Sequence, residues 1–171
     1  MATPRLLLLL LQLLVAMMIT IVGTATPSRV VVRDNTDTVC PDDWLHYDSL
    51  CVKFFDEEKV PWWKAWSYCR NHTENTHLAY VESQREHDRL TGMMAMAEID
   101  EVWIGLNDLS VEGNFQWADG ESVNYTNYAP NTMINAESNE DCVDIRKNTT
   151  YKWSLDYCFV HKHYVCRKDV S

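Results

Sequence analysis

The segment 127–142 gathers side-chain oxygens of the kind that bind a cation together with a polar ligand. Asn131 follows a proline, and Glu140 and Asp141 stand immediately before a cysteine. Calcium takes about 6 to 8 oxygen ligands, so a site needs several such groups close together. Ala129, on the other side of the proline, supplies no ligand where a carboxylate would be useful. This pattern is typical of a binding loop with an incomplete set of ligands.

Two other kinds of chemistry have weaker support. His161 and His163 lie two positions apart on a predicted strand and would face the same side, but no acidic or cysteine partner stands at ligand spacing. A nucleophilic hydrolase would need a Gly-x-Ser-x-Gly turn or a free cysteine; the turn is absent from the sequence, and the cysteines are better used in bridges. We therefore expect a binding protein and not an enzyme.

Residues 1–25 are predicted to be a secretory signal peptide. Arg5 precedes an almost unbroken apolar run over residues 6–22, and small residues follow it at 23–25. A retained signal anchor is the alternative, because a run of this length is at the short edge of what can span a bilayer. Removal of the peptide leaves 14 basic and 25 acidic residues, a net charge of −11. We therefore expect a secreted, extracellular protein with no nucleic-acid partner and no stable membrane insertion.

All the cysteines lie beyond the predicted signal peptide. An even number of cysteines in a secreted chain indicates a disulfide framework, and the close pairs typical of zinc sites are absent from the sequence. Three bridges are expected, with about 15 possible pairings. Residues 26–39 are short, polar and without amphipathic period, which favours a flexible N-terminal segment and a domain over residues 40–168. The six cysteines are Cys40, Cys51, Cys69, Cys142, Cys158 and Cys166.

Two helices are predicted to support the loop. The first begins near Pro61 and carries an apolar stripe that ends at Cys69. The second begins at a capping box formed by Ser83 and Glu86, and it runs to about Met96.

Short strands and a long loop complete the predicted domain. The stretch from 107 to 138 is dense in Asn, Asp, Gly and Ser, and a loop of this length in a small domain is usually functional. Gly105, inside a predicted strand, indicates close approach of another backbone. Early helices and late short strands favour the α+β class. The predicted strands are a hairpin within 40–55 and segments at 78–81, 102–106, 142–145, 151–153 and 163–166.

In combination, these pieces resemble the C-type lectin-like domain from Cys40 to Cys166. The resemblance implies an α+β fold with two helices, two small antiparallel sheets, a long loop region and three disulfides. It also implies that Trp103, Ile104 and Leu106 pack in the core. The matching pieces are CPDDW at 40–44, WWKAWSYC at 62–69, LAYVESQREHDRL at 78–90, WIGLND at 103–108, FQWADG at 115–120, APN at 129–131, EDCVDI at 140–145 and YVC at 164–166. The implied disulfide pairs are Cys40–Cys51, Cys69–Cys166 and Cys142–Cys158.

The resemblance also implies a calcium ion that bridges the protein and a sugar. In this family the ligands come from a Glu-Pro-Asn or Gln-Pro-Asp triplet, a Glu just ahead of a Cys, and an Asn-Asp pair after a Trp. Asn131 and Glu140 are retained here, but Ala129 replaces the first triplet ligand. Ser154 and Leu155 stand where the Asn-Asp pair is expected. Calcium is thus the implied cofactor, and the ligand set for its ordinary sugar-binding role is incomplete.

Asp156 lies one position beyond the missing carboxylate. Side chains alternate along a strand, so this shift aims Asp156 away from the ideal ligand position. We predict that Asn131, Glu140 and Tyr125 contact a carbohydrate. We also predict that Asn131, Glu140 and Asp141 are the residues that would hold a metal.

These observations lead to two functional hypotheses. The first is a secreted C-type lectin-like protein of innate defence. It would recognise glycans or a cell-surface or microbial glycoprotein through residues 107–141, and its atypical site would lack the ordinary dependence on calcium. The alternative is a protein-binding module on the same scaffold that does not bind sugar, since function resides in the site and not in the fold. Glycosylation is predicted at Asn71, Asn124 and Asn148, each in an Asn-x-Thr sequence. We expect a monomer or weak dimer, because the chain has no heptad run and each cysteine has an expected intrachain partner.

Overall fold

The computed structural model describes residues 40–47, 50–132 and 139–170, and the structural statements below concern those residues. The predicted signal peptide (1–25) and N-terminal segment (26–39) lie outside them.

The described chain contains two helices and eight strands, which confirms the α+β class. The elements are β1 (Leu45–Tyr47), β2 (Leu50–Val60), α1 (Trp62–His72), β3 (Thr76–Leu78), α2 (Gln84–Met96), β4 (Glu101–Asn107), β5 (Gln116–Trp117), β6 (Cys142–Arg146), a 3-10 turn (Lys147–Thr149), β7 (Lys152–Asp156) and β8 (Lys162–Asp169).

Both helices begin where their sequence signals predict. Pro61 is the N-cap of α1, and its carbonyl accepts hydrogen bonds from the next turn of the helix. At the start of α2, Ser83 Oγ accepts a hydrogen bond from the Glu86 N–H at 3.3 Å. The Glu86 carboxylate reaches one residue further back than in a simple capping box and accepts from the Glu82 N–H at 2.8 Å. The second helix ends at Met96, as predicted.

The strands form one connected sheet in the order β1-β2-β8-β4-β6-β7, with β3 added to β8 and β5 added to β4. The pairs within each half of this sheet are antiparallel, as predicted. A short parallel pairing of β4 with β8, at Val102↔His163 and Trp103↔Tyr164, joins the two halves. The two antiparallel sheets expected from the sequence are therefore the two halves of one continuous sheet.

Strands β2 and β8 run beyond their predicted ends, to Val60 and Asp169, and β5 lies in the stretch predicted as loop. Two further boundaries also differ from the sequence prediction. The strand expected at 78–81 lies at Thr76–Leu78, and the backbone of Ala79 instead bonds to Val165 O and Gly105 N, at 2.9 and 2.8 Å. The strand expected at 151–153 runs over Lys152–Asp156. This second difference matters for the site, because it places residues 154–156 inside the sheet.

Gly105 makes the close backbone approach that its position predicts. A Cβ atom at this residue would lie 2.7 Å from the Leu78 carbonyl oxygen, well inside van der Waals contact. The absence of a side chain therefore lets β4 lie against the end of β3.

The core lies along β4 and its neighbours. Trp103, Ile104 and Leu106 are fully buried, which confirms their predicted packing role. Two of the buried indole N–H groups bond to neighbouring strands: Trp62 Nε1 donates to Ile104 O at 2.8 Å and Trp103 Nε1 donates to Val60 O at 3.1 Å, whereas the Trp117 indole N–H has no hydrogen-bond partner among the described residues. The hydrogen bond from Trp62 holds the start of α1 against the central strand β4.

The three disulfides are those that the resemblance implies: Cys40–Cys51, Cys69–Cys166 and Cys142–Cys158. The second spans 97 residues and the third 16. In the loop-entropy account, their closure stabilises the folded state by about 4.7 and about 3 kcal/mol. The third bridge ties the start of β6 to the turn after β7, at the end of the sheet from which the long loop emerges.

Candidate functional site

The long loop starts and ends at one end of the sheet. Asn107, the last residue of β4, pairs with Cys142, the first residue of β6. Cys142 in turn pairs with Asp156, the last residue of β7. Residues 108, 141 and 157 therefore leave the sheet side by side, and they form the base of the candidate site.

The middle of the loop is fastened to β7 through Trp153. The Ala129 N–H donates to the Trp153 carbonyl at 2.8 Å, and the Trp153 N–H donates to the Asn127 carbonyl at 2.9 Å. Tyr128 forms a parallel bridge with Trp153. This part of the loop is held as an added strand beside β7.

Aromatic rings surround the Trp153 indole, which is fully buried. Tyr125 and Tyr128 each meet it edge to face with ring centroids 5.6 Å apart, and Trp117 does so at 5.7 Å. Tyr125 is half-buried, and its hydroxyl donates to Gln84 Oε1 on α2 at 2.9 Å. The ring of Tyr125 thus anchors the loop, and its predicted contact with a carbohydrate stays a prediction.

The structure places the two replaced ligand positions inside the sheet. Leu155 packs in the hydrophobic core with 6% of its surface exposed. Ser154 is buried and pairs in register with Asp144. Neither residue offers a carboxylate or amide oxygen to a cation in the loop.

Asp156, the nearest carboxylate, is already paired with two cations. Its Oδ2 lies 2.8 Å from Arg146 Nη2 and 2.8 Å from Lys162 Nζ. Lys162 also lies 2.5 Å from Asp144, and both side chains are almost completely buried. Burial alone would lower the pKa of Lys162, but Asp144 and the hydrogen bonds to Asp144 and Asp156 outweigh it and raise that pKa. This ionic cluster, formed by Asp144, Arg146, Asp156 and Lys162, takes Asp156 out of the candidate metal site.

The two retained ligand residues flank a part of the loop outside the described residues. Asn131 is exposed at a turn with φ of 67°, and Glu140 is half-buried at the other side of residues 133–138. In the described ranges no group of three or more His, Cys, Asp or Glu side chains is arranged to hold a metal. The metal set predicted from Asn131, Glu140 and Asp141 therefore stays a prediction.

The sequence interpretation missed a pair of carboxylates formed by Asp108 and Asp141. The Asp108 N–H donates to the Asp141 carbonyl at 3.1 Å, which brings the two residues together. Asp108 Oδ2 accepts from the Gly113 N–H at 2.8 Å, but Oδ1 of Asp108 and Oδ1 of Asp141 are buried without a hydrogen-bond partner. Burial raises the pKa of Asp108; the Gly113 N–H opposes this, and the charge of Asp141 adds to it.

This carboxylate pair offers a cation two oxygens, which the replaced sugar-site positions do not. Two buried oxygens without donors are costly, and a hard cation satisfies such oxygens directly. The aspartate directly after the WIGLN strand was the available signal, but only the pairing of Asn107 with Cys142 shows that it meets Asp141.

Large apolar side chains are exposed around the Cys142–Cys158 bridge. Tyr157 and Phe159 stack with centroids 5.3 Å apart and are 40% and 70% exposed. The Trp62 N–H donates to the Cys158 carbonyl at 2.9 Å, so the start of α1 lies beside this turn, and the next residue, Trp63, is also exposed. Exposed aromatic residues of this kind are common in protein interfaces.

The remaining predicted sites are on the surface. Asn71, Asn124 and Asn148 are all exposed, so each glycosylation prediction is sterically reasonable, and none is tested. His161 is exposed and His163 is half-buried. Within the described ranges, neither helix is long and apolar enough to cross a membrane.

Comparison with known proteins agrees with the fold. Residues 58–168 match the model of the Lectin C-type domain family. A C-type lectin of Micrurus corallinus is 34% identical over 131 residues, which are 75% of this chain and 82% of that one. The low affinity immunoglobulin epsilon Fc receptor of Mus musculus is 34% identical over 120 residues, 70% of this chain and 34% of the receptor. The solved carbohydrate-recognition domain of cow CD23, crystallised in the presence of a GlcNAc2Man3 oligosaccharide, is 30% identical with a TM-score of 0.67, covering 78% of this chain and 98% of that domain.

Proposed function

Because the chain belongs to the C-type lectin domain family, we propose that it is a secreted protein that recognises a glycan through residues 107–141 without a calcium ion bridging the sugar. The glycan is carried by a cell-surface or microbial glycoprotein, and innate defence is the setting that this role favours. The protein binds its ligand and does not transform it.

The location of residues 154–156 carries this proposal. A bridging ion needs protein oxygens on β7 that face the loop, because sugar hydroxyls complete only part of a calcium shell. Leu155 is in the core, and Asp156 is held by Arg146 and Lys162. Moving Asp156 toward the loop would leave buried Lys162 with one carboxylate fewer, which is costly in a low-dielectric interior.

Several observations support recognition by the loop itself. The Ala129 and Trp153 backbone bonds and the Trp153 ring contacts hold residues 125–129 in place, so the neighbouring polar groups need little ordering on binding. The cow CD23 domain was crystallised with an oligosaccharide, which favours a sugar ligand for a chain of this similarity.

Calcium has a structural role in this proposal, at Asp108 and Asp141. Their unpartnered oxygens would hold the ion, and the ion would neutralise two carboxylates that now oppose each other. Asp108 follows β4 and Asp141 precedes β6, so binding there fixes both ends of the loop without contact with the sugar.

Secretion agrees with the bonding of the cysteines. All six are in disulfides, which persist in oxidising compartments. A monomer or weak dimer remains our expectation for the secreted form.

The test is a glycan array probed with the disulfide-bonded chain from residue 26, with and without a chelator. We expect binding to a subset of glycans that changes by less than about threefold on chelation, since the ion supports the loop only indirectly. Complete loss on chelation would contradict the proposal. Asn131→Ala should weaken binding, whereas the matched change Asn148→Ala, on the 3-10 turn, should not.

A protein ligand is the second candidate, and the exposed Tyr157–Phe159 stack favours it. An array without any glycan signal in either condition would select this candidate. Phe159→Ser would then be expected to reduce binding to the protein ligand, because exposed aromatic residues dominate such interfaces.

A further inference from the structure

A single buried histidine connects helix α2 to the loop through Trp153. His87 is 4% exposed, and its Nδ1 accepts a hydrogen bond from Trp153 Nε1 at 3.2 Å. The backbone of Tyr151 lies near the ring and favours its protonated form. Tyr125 lies beside both rings, with its centroid 6.4 Å from His87 and 5.6 Å from Trp153.

These contacts require a neutral imidazole. An indole N–H can only donate, so Nδ1 must carry a lone pair, and the proton of the neutral ring lies on Nε2. A protonated imidazole would direct an N–H at the indole N–H. Protonation therefore removes the hydrogen bond and replaces it with a repulsive contact.

The charges around His87 come from two elements. Asp88, the next residue of α2, favours the protonated form, whereas Lys152 on β7 opposes it. Lys152 is fixed beside the site because its Nζ donates to Asn127 Oδ1. Burial of the ring is the largest influence and disfavours the charged form. The net result is that the pKa of His87 is lowered from its ordinary value of 6.5.

We propose that His87 is an acid-sensitive latch whose protonation frees the Trp153 indole and releases residues 125–129 of the loop. The consequence follows from the contacts already described: Tyr125, Tyr128 and the Ala129 N–H all depend on the position of Trp153. Mild acid thus loosens the loop while the disulfides keep the domain folded. This inference rests on the proposed function only in taking the loop as the recognition surface.

The direction of the pH effect follows from linkage. A histidine whose pKa is lowered in the closed state stabilises that state fully above its ordinary pKa of 6.5. As the pH falls below that value, the open form takes up a proton first, so the population of the open form rises. The rise levels off below the pKa of the closed form, and each pKa unit of difference corresponds to about tenfold in the opening equilibrium.

Amide hydrogen exchange tests the latch without any ligand. We would compare the Ala129 and Trp153 amides at about pH 7.5 and about pH 5, corrected for intrinsic exchange, with the Gly105 amide as a core reference. Protection at Ala129 and Trp153 should fall in acid, while that of Gly105 stays constant. The Trp153 indole proton should change its chemical shift over the same pH range.

His87→Asn is the decisive variant. The Asn Oδ1 can replace Nδ1 as the acceptor for the indole N–H, and the Asn side chain does not titrate. The loss of amide protection in acid should therefore disappear. His163→Asn is the matched control, because burial also lowers the pKa of His163 but this residue lies on β8. His87→Gln, which also does not titrate, serves if the Asn variant does not fold.

If the non-titrating variant still loses amide protection in acid, the proposed latch is wrong. Unchanged protection of the wild-type loop between the two pH values would also contradict it. Loss of protection at Gly105 as well would also overturn it, since that result means global unfolding. None of these outcomes depends on glycan binding, so failure of the latch is separate from failure of the proposed function.

Discussion

Replacement of Lys162 by methionine should destabilise the protein far more than the same replacement of an exposed lysine. Lys162 Nζ lies 2.5 Å from Asp144, 2.8 Å from Asp156 and 3.2 Å from Glu101, and its side chain is 2% exposed. Asp144 is fully buried, so removal of the cation leaves a buried carboxylate with Arg146 as its remaining partner. Breaking a buried ion pair in this way costs about 3 to 5 kcal/mol.

Lys59→Met is the matched control. Lys59 pairs with the same glutamate, Glu101, at 3.1 Å, but it is 47% exposed. Solvent screens such a pair, so the expected loss is below about 1 kcal/mol. Urea unfolding with the disulfides intact would measure both variants, and the double variant Lys162→Met with Asp144→Asn should recover part of the loss because the stranded charge is gone. Equal losses in the Lys162 and Lys59 variants would refute the reasoning that this cluster holds Asp156 away from the loop.

Two further predictions concern the loop and the strand that supports it. Asp108→Asn should raise the melting temperature without calcium, because it relieves repulsion with Asp141. It should also abolish the rise in melting temperature that the proposed ion site predicts for the wild type with calcium. Asp119→Asn is the control, and an equal calcium response in all three proteins would contradict the ion site. Gly105→Ala should destabilise the protein by about 1 to 3 kcal/mol, because its Cβ would lie 2.7 Å from a backbone oxygen. The control Gly92→Ala in α2, where a Cβ would have nothing within 4 Å, should stabilise the protein by up to about 1 kcal/mol. Equal effects of the two changes in urea unfolding would show that β4 and β3 can separate freely.

Local sequence signals predicted the local structure well. Pro61 and the pair Ser83 and Glu86 start the two helices because their effects act within one turn. Gly105 could be interpreted in the same way, since a glycine inside a β-branched strand has few explanations other than close approach. The disulfide pairs needed the family resemblance, because spacing alone leaves many pairings open.

The candidate site was less predictable because its contacts join distant parts of the chain. Asp108 meets Asp141 only through the register of β4 with β6, which no local pattern specifies. No local pattern distinguishes Lys162, which stands between two histidines, because its acidic partners lie on three other strands. The sequence predicted contact with a carbohydrate for Tyr125, and only the position of Trp153 shows that its ring packs.

The burial of Leu155 also limits how this site could regain a metal by mutation. An acidic residue introduced there would enter a packed core before any ion could reach it, so the first step toward a restored site would reduce folding. A return to sugar binding through calcium therefore needs several coordinated substitutions, and single-site libraries would not find it.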